Sequence, residues 1–302
     1  MQYDYLIAGQ GIAGTVLSRV LLQQGKTVLV ADAPQEKTAS KVAAGLFNPI
    51  TGRKMVKTWQ AEAIFPQLHR FYHDLQKELG TSFFYPENIY VPFDSQEKQN
   101  DWLARSADPA FQPFLGNFTD ASEFNGAIKA RFGGINIAQA GYINLPVMLA
   151  AWRKYLQQCN LLLPEKVRAE QVQVAAEGIH WQGVAARRLI FCEGPGVASN
   201  PLFNWLPFRP VKGELLVVKF RHWPWRQIVN RGCWVLPTGN GLCKAGATYN
   251  NRDHSWQPTE EGRQQLLEKL HALVNEPFEV VQHLAGVRPA TYDRRPFAGM
   301  HP

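Results

Sequence analysis

Residues 3–32 restrict the fold more than any other stretch of the chain. Tyr3 to Ala8 closes on the apolar run Leu6-Ile7-Ala8, of the kind that forms a short strand buried in a parallel sheet. The glycine turn Gly9-Gln10-Gly11-Ile12-Ala13-Gly14 follows at once. Beyond it, Ala13, Val16, Leu17, Val20 and Leu21 fall on one side of a helical period, and Thr15, Ser18, Arg19 and Gln23 on the other. Gly25 ends that helix. Residues 27–31 are β-branched and apolar, and Asp32 stands at their end. Strand, tight turn, helix and second strand make one βαβ unit, which commits the chain to a sheet with parallel strands.

The same turn carries a chemistry. Gly9 permits the tight exit from the strand, Gly11 lets the backbone approach a pyrophosphate, and Gly14 lets the helix pack on the strand. The first N–H groups of the helix, at Ile12 and Ala13, then point with its positive dipole end at phosphate. Asp32, 23 residues past Gly9, is placed to accept hydrogen bonds from adenosine ribose hydroxyls. FAD and NAD(P) share the adenosine diphosphate half, so the spacing leaves both open.

Farther on the pattern changes. Helices are expected at 61–79, interrupted at Pro66, at 146–158 with Met148, Ala151, Trp152 and Tyr155 on one face, and at 260–274 after Pro258-Thr259. Strands are expected at 89–92, 186–192, 214–220, 233–236 and 242–247, the later ones separated by Pro and Gly turns as in an antiparallel sheet. The fold class is therefore mixed α/β and α+β, a Rossmann-type nucleotide-binding domain interleaved with an antiparallel-sheet domain.

Composition removes several alternatives. With 45% hydrophobic and 19% charged residues in 302, the chain is neither disordered nor of low complexity. Its net charge of +7 is scattered, which suits anionic small molecules as well as nucleic acid. The longest apolar runs fall far short of the ~20 residues of a membrane span, and no secretion signal opens the chain. Cys159, Cys192, Cys233 and Cys243 lie far apart, so no disulfide framework or structural metal is expected, and a reducing cytoplasm is the expected setting. Cys192 and Cys243 read as buried small hydrophobes. His69 and His73 have the i, i+4 spacing of a metal pair but no HExxH glutamate and no third ligand, so they read as a solvated helix face. The run Arg221-His222-Trp223-Pro224-Trp225-Arg226 mixes bases and aromatics, and reads as an exposed loop with nucleic-acid contact as the alternative.

Several further motifs follow the glycine turn in order. They are Ala43-Ala44-Gly45-Leu46, Pro210-Val211-Lys212-Gly213-Glu214, Cys233-Trp234-Val235-Leu236-Pro237, Gly246-Ala247-Thr248 and Ala285-Gly286-Val287-Arg288-Pro289. In this order they resemble the FAD-dependent amino-acid and amine oxidoreductases of the D-amino-acid oxidase family, and most of all its glycine-oxidase-like members. The resemblance covers nearly the whole chain. It implies FAD as cofactor, and a small-molecule amino acid or secondary amine as substrate, oxidised by hydride transfer to flavin N5 to give an imine. It implies that Gly9, Gly11, Ile12, Ala13, Gly14 and Asp32 bind the ADP portion, that Ser40, Ala43, Ala44 and Gly45 pass near the pyrophosphate and the flavin, that the Val167 backbone meets the adenine, and that Gly194 closes this half of the site. It implies further that Arg288, read from its sequence as lying in a turn before Pro289, grips a substrate carboxylate, with Trp234 and Tyr249 lining the pocket. No catalytic side chain is implied, because the flavin carries the chemistry.

Residues 1–80, 141–205 and 285–302 are expected to form the FAD-binding domain, and 81–140 and 206–284 the substrate-binding domain. Two departures from the family pattern stand out. Lys41-Val42 intervene between Ser40 and the alanines, where the family usually has Ser or Thr immediately upstream. The family also continues past the motif resembling Asp293 to Gly299 into a strand, a glycine-rich turn and a flavin-covering helix, whereas this sequence stops at Pro302, so the expectation is either a C-terminal segment beyond Pro302 or a shortened form with impaired flavin binding. Relatives that oxidise a modified tRNA nucleoside, and a degenerate dinucleotide-binding protein without catalysis, are the alternative functions.

Overall fold

The computed structural model describes residues 2–301 apart from 36 and 52–54. A six-stranded sheet runs in the order β11 (Leu162–Leu163), β2 (Val28–Ala31), β1 (Gln2–Ala8), β14 (Val184–Phe191), β13 (Gly178–Trp181) and β12 (Gln173–Ala175). The first four strands of that order, β11, β2, β1 and β14, are parallel, with Tyr5 to Ala8 in register with Val28 to Ala31. Leu6, Ile7, Val28 and Val30 are wholly buried there, each side chain contributing about 1.5–3 kcal/mol relative to exposure. Helix α1 (Ile12–Gln23) leaves the glycine turn and packs beside α5 (Leu145–Gln158), where Trp152 Nε1 donates to Ser18 Oγ at 2.9 Å. The buried face of α5 is Leu145, Met148, Leu149, Trp152 and Leu156, with Ala151 and Tyr155 at its margin.

An eight-stranded sheet follows the order β19 (Phe278–Arg288), β15 (Val211–Phe220), β18 (Leu242–Gly246), β17 (Trp234–Gly239), β16 (Ile228–Asn230), β7 (Ile89–Pro92), β9 (Gly134–Ile137) and β8 (Leu115–Thr119). All its pairings are antiparallel except β16 with β7. One face packs on α6 (Glu260–Leu273), where Leu266, Leu270 and Leu273 meet Leu216, Val218, Val235 and Cys243. The other face looks toward the six-stranded sheet and the helices around it. A small sheet of β3 (Leu46–Phe47), β10 (Gly141–Ile143) and β6 (Phe84–Pro86), a β4 (Ile50–Thr51) and β5 (Val56–Lys57) ribbon, and helices α2 (Ala39–Val42), α3 (Ala61–Leu79) and α4 (Gln96–Ser106) complete the fold.

Three expectations are corrected. The α3 helix runs unbroken through Pro66, because the bond that proline forfeits belongs to the Glu62 carbonyl in the exposed first turn, which is open to solvent. Arg288 does not lie in a turn: it is the last residue of β19, opposite Val211. Pro289 ends the strand, having no N–H to continue the ladder. His69 is not on a solvated face: its ring packs edge-on against Phe47 and Phe84, with Nε2 3.2 Å from the Gln139 carbonyl, while His73 is exposed.

Candidate cofactor and substrate site

The carboxyl ends of β1, β2 and β14 meet at the glycine turn. Gly9 N–H donates to the Ala31 carbonyl at 2.9 Å and Cys192 N–H to the Ala8 carbonyl at 2.7 Å. A Cβ on Gly14 would stand 1.9 Å from the Gly9 carbonyl oxygen, so no larger residue lets α1 come down on its strand. Gly11 is different: the nearest atom to a Cβ there is Ser40 Oγ at 3.3 Å, and its Cα faces open space. Ser40 belongs to α2, whose single turn, capped by Thr38, offsets the intervening Lys41-Val42 and brings the hydroxyl to the start of α1, where it accepts from Ile12 N–H at 3.2 Å. Gly194, at φ +56° after β14, has open space where its side chain would be. Val167 lies in the loop after β11, its side chain buried with Leu6, Leu29 and Trp181. An open cradle at a helix N-terminus, with an acid at its rim, fits the diphosphate and ribose of a dinucleotide.

Asp32 is held on both oxygens. Gln10 N–H donates to Oδ1 at 3.0 Å, and Arg153 of α5 donates from Nη1 to Oδ2 at 2.6 Å and from Nη2 to the Asp32 carbonyl at 2.9 Å. The same Nη1 reaches Gln10 Oε1 at 3.2 Å. Arg153 lies 121 positions from Asp32 and carries no sequence signal of this role. A carboxylate has about four acceptor sites, so lone pairs remain for ribose hydroxyls. Asp32→Asn, which removes charge-assisted bonds of about 1.5–3 kcal/mol, is expected to weaken FAD binding roughly ten- to hundredfold in a flavin-fluorescence titration.

The second half of the site lies on the face of the eight-stranded sheet turned away from α6. The Arg288 guanidinium rests on Gly213 of the adjacent strand, where a Cβ would stand 2.2 Å from Nη2. Desolvation holds its pKa below the usual arginine value, opposed by the nearby Tyr249 phenol, and the group stays charged. Tyr249, just beyond β18, is exposed. Trp234 opens β17 with its indole over Gly246, where a Cβ would meet Cζ2 at 2.6 Å and Leu215 Cβ at 3.1 Å. Lys244 of β18 is half-buried on this face, with its pKa lowered by burial and no hydrogen-bond or ion-pair partner among the described residues. Helix α2 joins the two halves: Ser40 touches the start of α1, and Val42 stands over Gly286 of β19, 3.2 Å from where a Cβ would be. Ala43 and Ala44 continue half-buried into Gly45, whose carbonyl accepts from Ile143 N–H at 3.0 Å.

The family model for FAD-dependent oxidoreductases designated DAO matches residues 4–302. The chain belongs to the DAO family of FAD-dependent oxidoreductases. Among the relatives of this DAO chain is the bifunctional protein of tRNA 5-methylaminomethyl-2-thiouridine biosynthesis from Marinobacter nauticus, 25% identical over 331 residues that cover 98% of this chain and 49% of that protein. The chain thus spans about half the length of that relative. A glycine oxidase from Geobacillus kaustophilus is 23% identical over 335 residues, covering 100% of this chain and 85% of the relative. The crystal structure of glycine oxidase from Geobacillus kaustophilus superposes with a TM-score of 0.81 at 19% identity, over 100% of this chain and 86% of that one, and shares the fold.

The remaining reactive groups of the DAO chain lie elsewhere. No group of three or more His, Cys, Asp or Glu side chains suited to a metal occurs among the described residues, and no helix among them is long and apolar enough to cross a membrane. In the 221–226 loop the aromatics are half-buried rather than presented: Trp223 stacks on Phe220 at 4.4 Å, and Trp225 Nε1 donates to the Glu123 carbonyl at 2.6 Å. Burial pushes the thiol of half-buried Cys192 up to about 11, and those of buried Cys233 and Cys243 to about 12. The thiolate is the nucleophile, so alkylation of the native protein at pH 8 is expected to modify exposed Cys159 first, as peptide mass mapping would show.

Proposed function

We propose that the chain holds FAD along the α1 turn and α2 and oxidises the C–N bond of an amino acid or secondary amine gripped by Arg288. The observation that carries the reading is the Arg288 guanidinium, flat on Gly213, on the sheet face that α2 ties to the dinucleotide turn. Bound FAD would supply the acceptor for a hydride from the carbon bearing the amine, leaving an imine for water to hydrolyse. A guanidinium fork matches a carboxylate by two parallel hydrogen bonds, and so fixes the orientation of the substrate as well as its presence. Backing by Gly213 removes water from one side of that fork, which strengthens the pair. Trp234 offers a flat apolar wall and Tyr249 a hydroxyl at the open side. Gly9, Gly11, Ile12, Ala13, Gly14 and Asp32 would hold the ADP half, Val167 and Gly194 its adenine side, and Ser40 with Ala43 to Gly45 the stretch leading to the flavin. The reading keeps the expected division into an FAD-binding part (1–80, 141–205, 285–302) and a substrate-binding part (81–140, 206–284), and a cytoplasmic setting.

The test is the visible absorption spectrum of the purified protein, before and after FAD and then a panel of amines under anaerobic conditions. Bleaching by amines that carry a carboxylate supports the reading. A colourless protein that ignores added FAD overturns it, and leaves a dinucleotide-binding fold without this catalysis. A second reading, a modified tRNA nucleoside as substrate, is favoured by the alignment with the Marinobacter nauticus protein across 98% of this chain and by the net charge of +7. It requires tRNA binding that falls steeply with added salt, because phosphate contacts release counterions.

A further inference from the structure

Lys212, Gly213 and Glu214 are consecutive on β15, and the pleat turns the middle residue to one face and its neighbours to the other. Gly213 backs Arg288. Lys212 and Glu214 point the opposite way, 0% and 3% exposed, with their charged ends 3.5 Å apart. A wholly buried lysine is rare unless its charge is met, and here it is met by Glu214 on its own strand and by one further segment of chain. Lys212 Nζ donates to the Asp253 carboxylate and, at 3.1 Å, to Ser255 Oγ. The Lys212 N–H and carbonyl pair with Asn250 at 2.8 and 3.0 Å. Glu214 N–H donates to Thr248 Oγ1 at 2.9 Å, and its carbonyl accepts from Thr248 N–H at 3.1 Å. The Glu214 carboxylate accepts from Thr259 N–H at 3.0 Å and from Thr259 Oγ1 at 2.9 Å, and lies 2.8 Å from His283 Nε2.

Every anchor but His283 therefore belongs to residues 248–259. Tyr249 sits between the two residues that pair with β15, on the opposite side of the segment from their side chains, within electrostatic reach of Arg288. We propose that Lys212 is a positioning residue of the substrate site: through Asp253 and Ser255 it pins the 248–255 segment along β15 and so sets Tyr249 beside Arg288. The proposal rests on Arg288 as the carboxylate-binding residue. The hydrogen bond from Lys212 holds the Asp253 carboxyl down to about 2, so the carboxylate stays ionised and the anchor intact into acid below the ordinary carboxylate range.

The test uses the FAD-loaded chain with Lys212→Met, Asp253→Asn, their double variant and Arg288→Lys. Each is titrated with acetate while the bound flavin's absorption bands are followed, and its affinity for FAD is measured separately. Asp253 is one-third exposed, so Asp253→Asn breaks the anchor without emptying a buried position, and it stands in for Lys212→Met should that variant fail to fold. Loss of one hydrogen bond to a charged group weakens binding about ten- to hundredfold. Lys212→Met and Asp253→Asn are each expected to weaken acetate about tenfold, the double variant no further than either, with FAD affinity unchanged and Arg288→Lys weaker still. Full acetate affinity in folded Lys212→Met and Asp253→Asn, beside a weakened Arg288→Lys, overturns the proposal. Equal losses of FAD and acetate also overturn it, because they mark a general structural role. Full acetate affinity in Arg288→Lys overturns the reading of Arg288 itself, and the proposal with it.

Discussion

Arg288→Ala is expected to raise KM for any carboxylate-bearing amine by about 30- to 3,000-fold and to leave FAD bound. Truncating one partner of a desolvated, hydrogen-bonded charge pair costs about 2–5 kcal/mol, and each 1.4 kcal/mol is a factor of ten. The loss falls on the substrate because little else depends on this side chain. The pairing of Arg288 with Val211 is a main-chain one, and the guanidinium lies on a glycine rather than inside the apolar core. The glycine turn, Ser40 and Asp32 are held by other partners, so the cofactor half keeps its geometry. Arg288→Lys retains a charge without the fork and is expected to recover only part of the affinity. Steady-state kinetics with an amino acid and with the matching amine that lacks the carboxylate separate the cases. The carboxylate-bearing substrate alone suffers if Arg288 grips that group, and an unchanged KM for it removes the role.

The nucleotide half was legible in sequence because everything that defines it is local. Between Leu6 and Asp32 each element follows from its neighbours: a buried apolar run, glycines at fixed spacing, a helical period and a β-branched run. The α3 helix at 61–79 was legible in the same way, down to its ends, although the sequence reads as interrupted at Pro66. Strand β19 was not. Its first half, Phe278 to Gln282, alternates half-buried and exposed and then loses the alternation at the sheet's edge, while in its second half half-buried His283 and Leu284 lead into buried Ala285 to Val287 and then exposed Arg288, so neither a period of two nor one long apolar run appears. That is why Arg288 reads as a turn residue when its sequence is taken alone. Arg153 on Asp32 and Lys212 on Asp253 were invisible for a further reason: their partners are 121 and 41 positions away, and no periodicity connects them. The His69 and His73 pair misled in the opposite direction, because i, i+4 spacing puts two residues on one side of a helix without saying whether water or aromatic rings cover each of them.

Two glycines of one turn are expected to fail in opposite ways when replaced by valine. At Gly14 the new Cβ would stand 1.9 Å from the Gly9 carbonyl oxygen, a main-chain atom at the end of the central strand that has nowhere to move. Gly14→Val must therefore push α1 off β1, and with it the Trp152 to Ser18 hydrogen bond that ties α1 to α5. Overpacking of this kind costs about 1–3 kcal/mol where side chains can yield, and more against main chain, a large share of the roughly 5–15 kcal/mol that holds a domain folded. The expected result is insoluble protein or a thermal midpoint lowered by many degrees. At Gly11 the nearest atom is a serine hydroxyl 3.3 Å away, and the space beyond is open. Gly11→Val is expected to fold with a near-normal midpoint, while its isopropyl group fills the cradle where the main chain must approach a diphosphate. Loss of several N–H to phosphate bonds and of the dipole contact, about 3 kcal/mol or more, corresponds to FAD affinity lowered by more than about a hundredfold. Circular dichroism melts and flavin retention through gel filtration read the two outcomes independently. A Gly11→Val protein that keeps its yellow colour would place the diphosphate away from this turn, and the dinucleotide reading of residues 3–32 would fall with it.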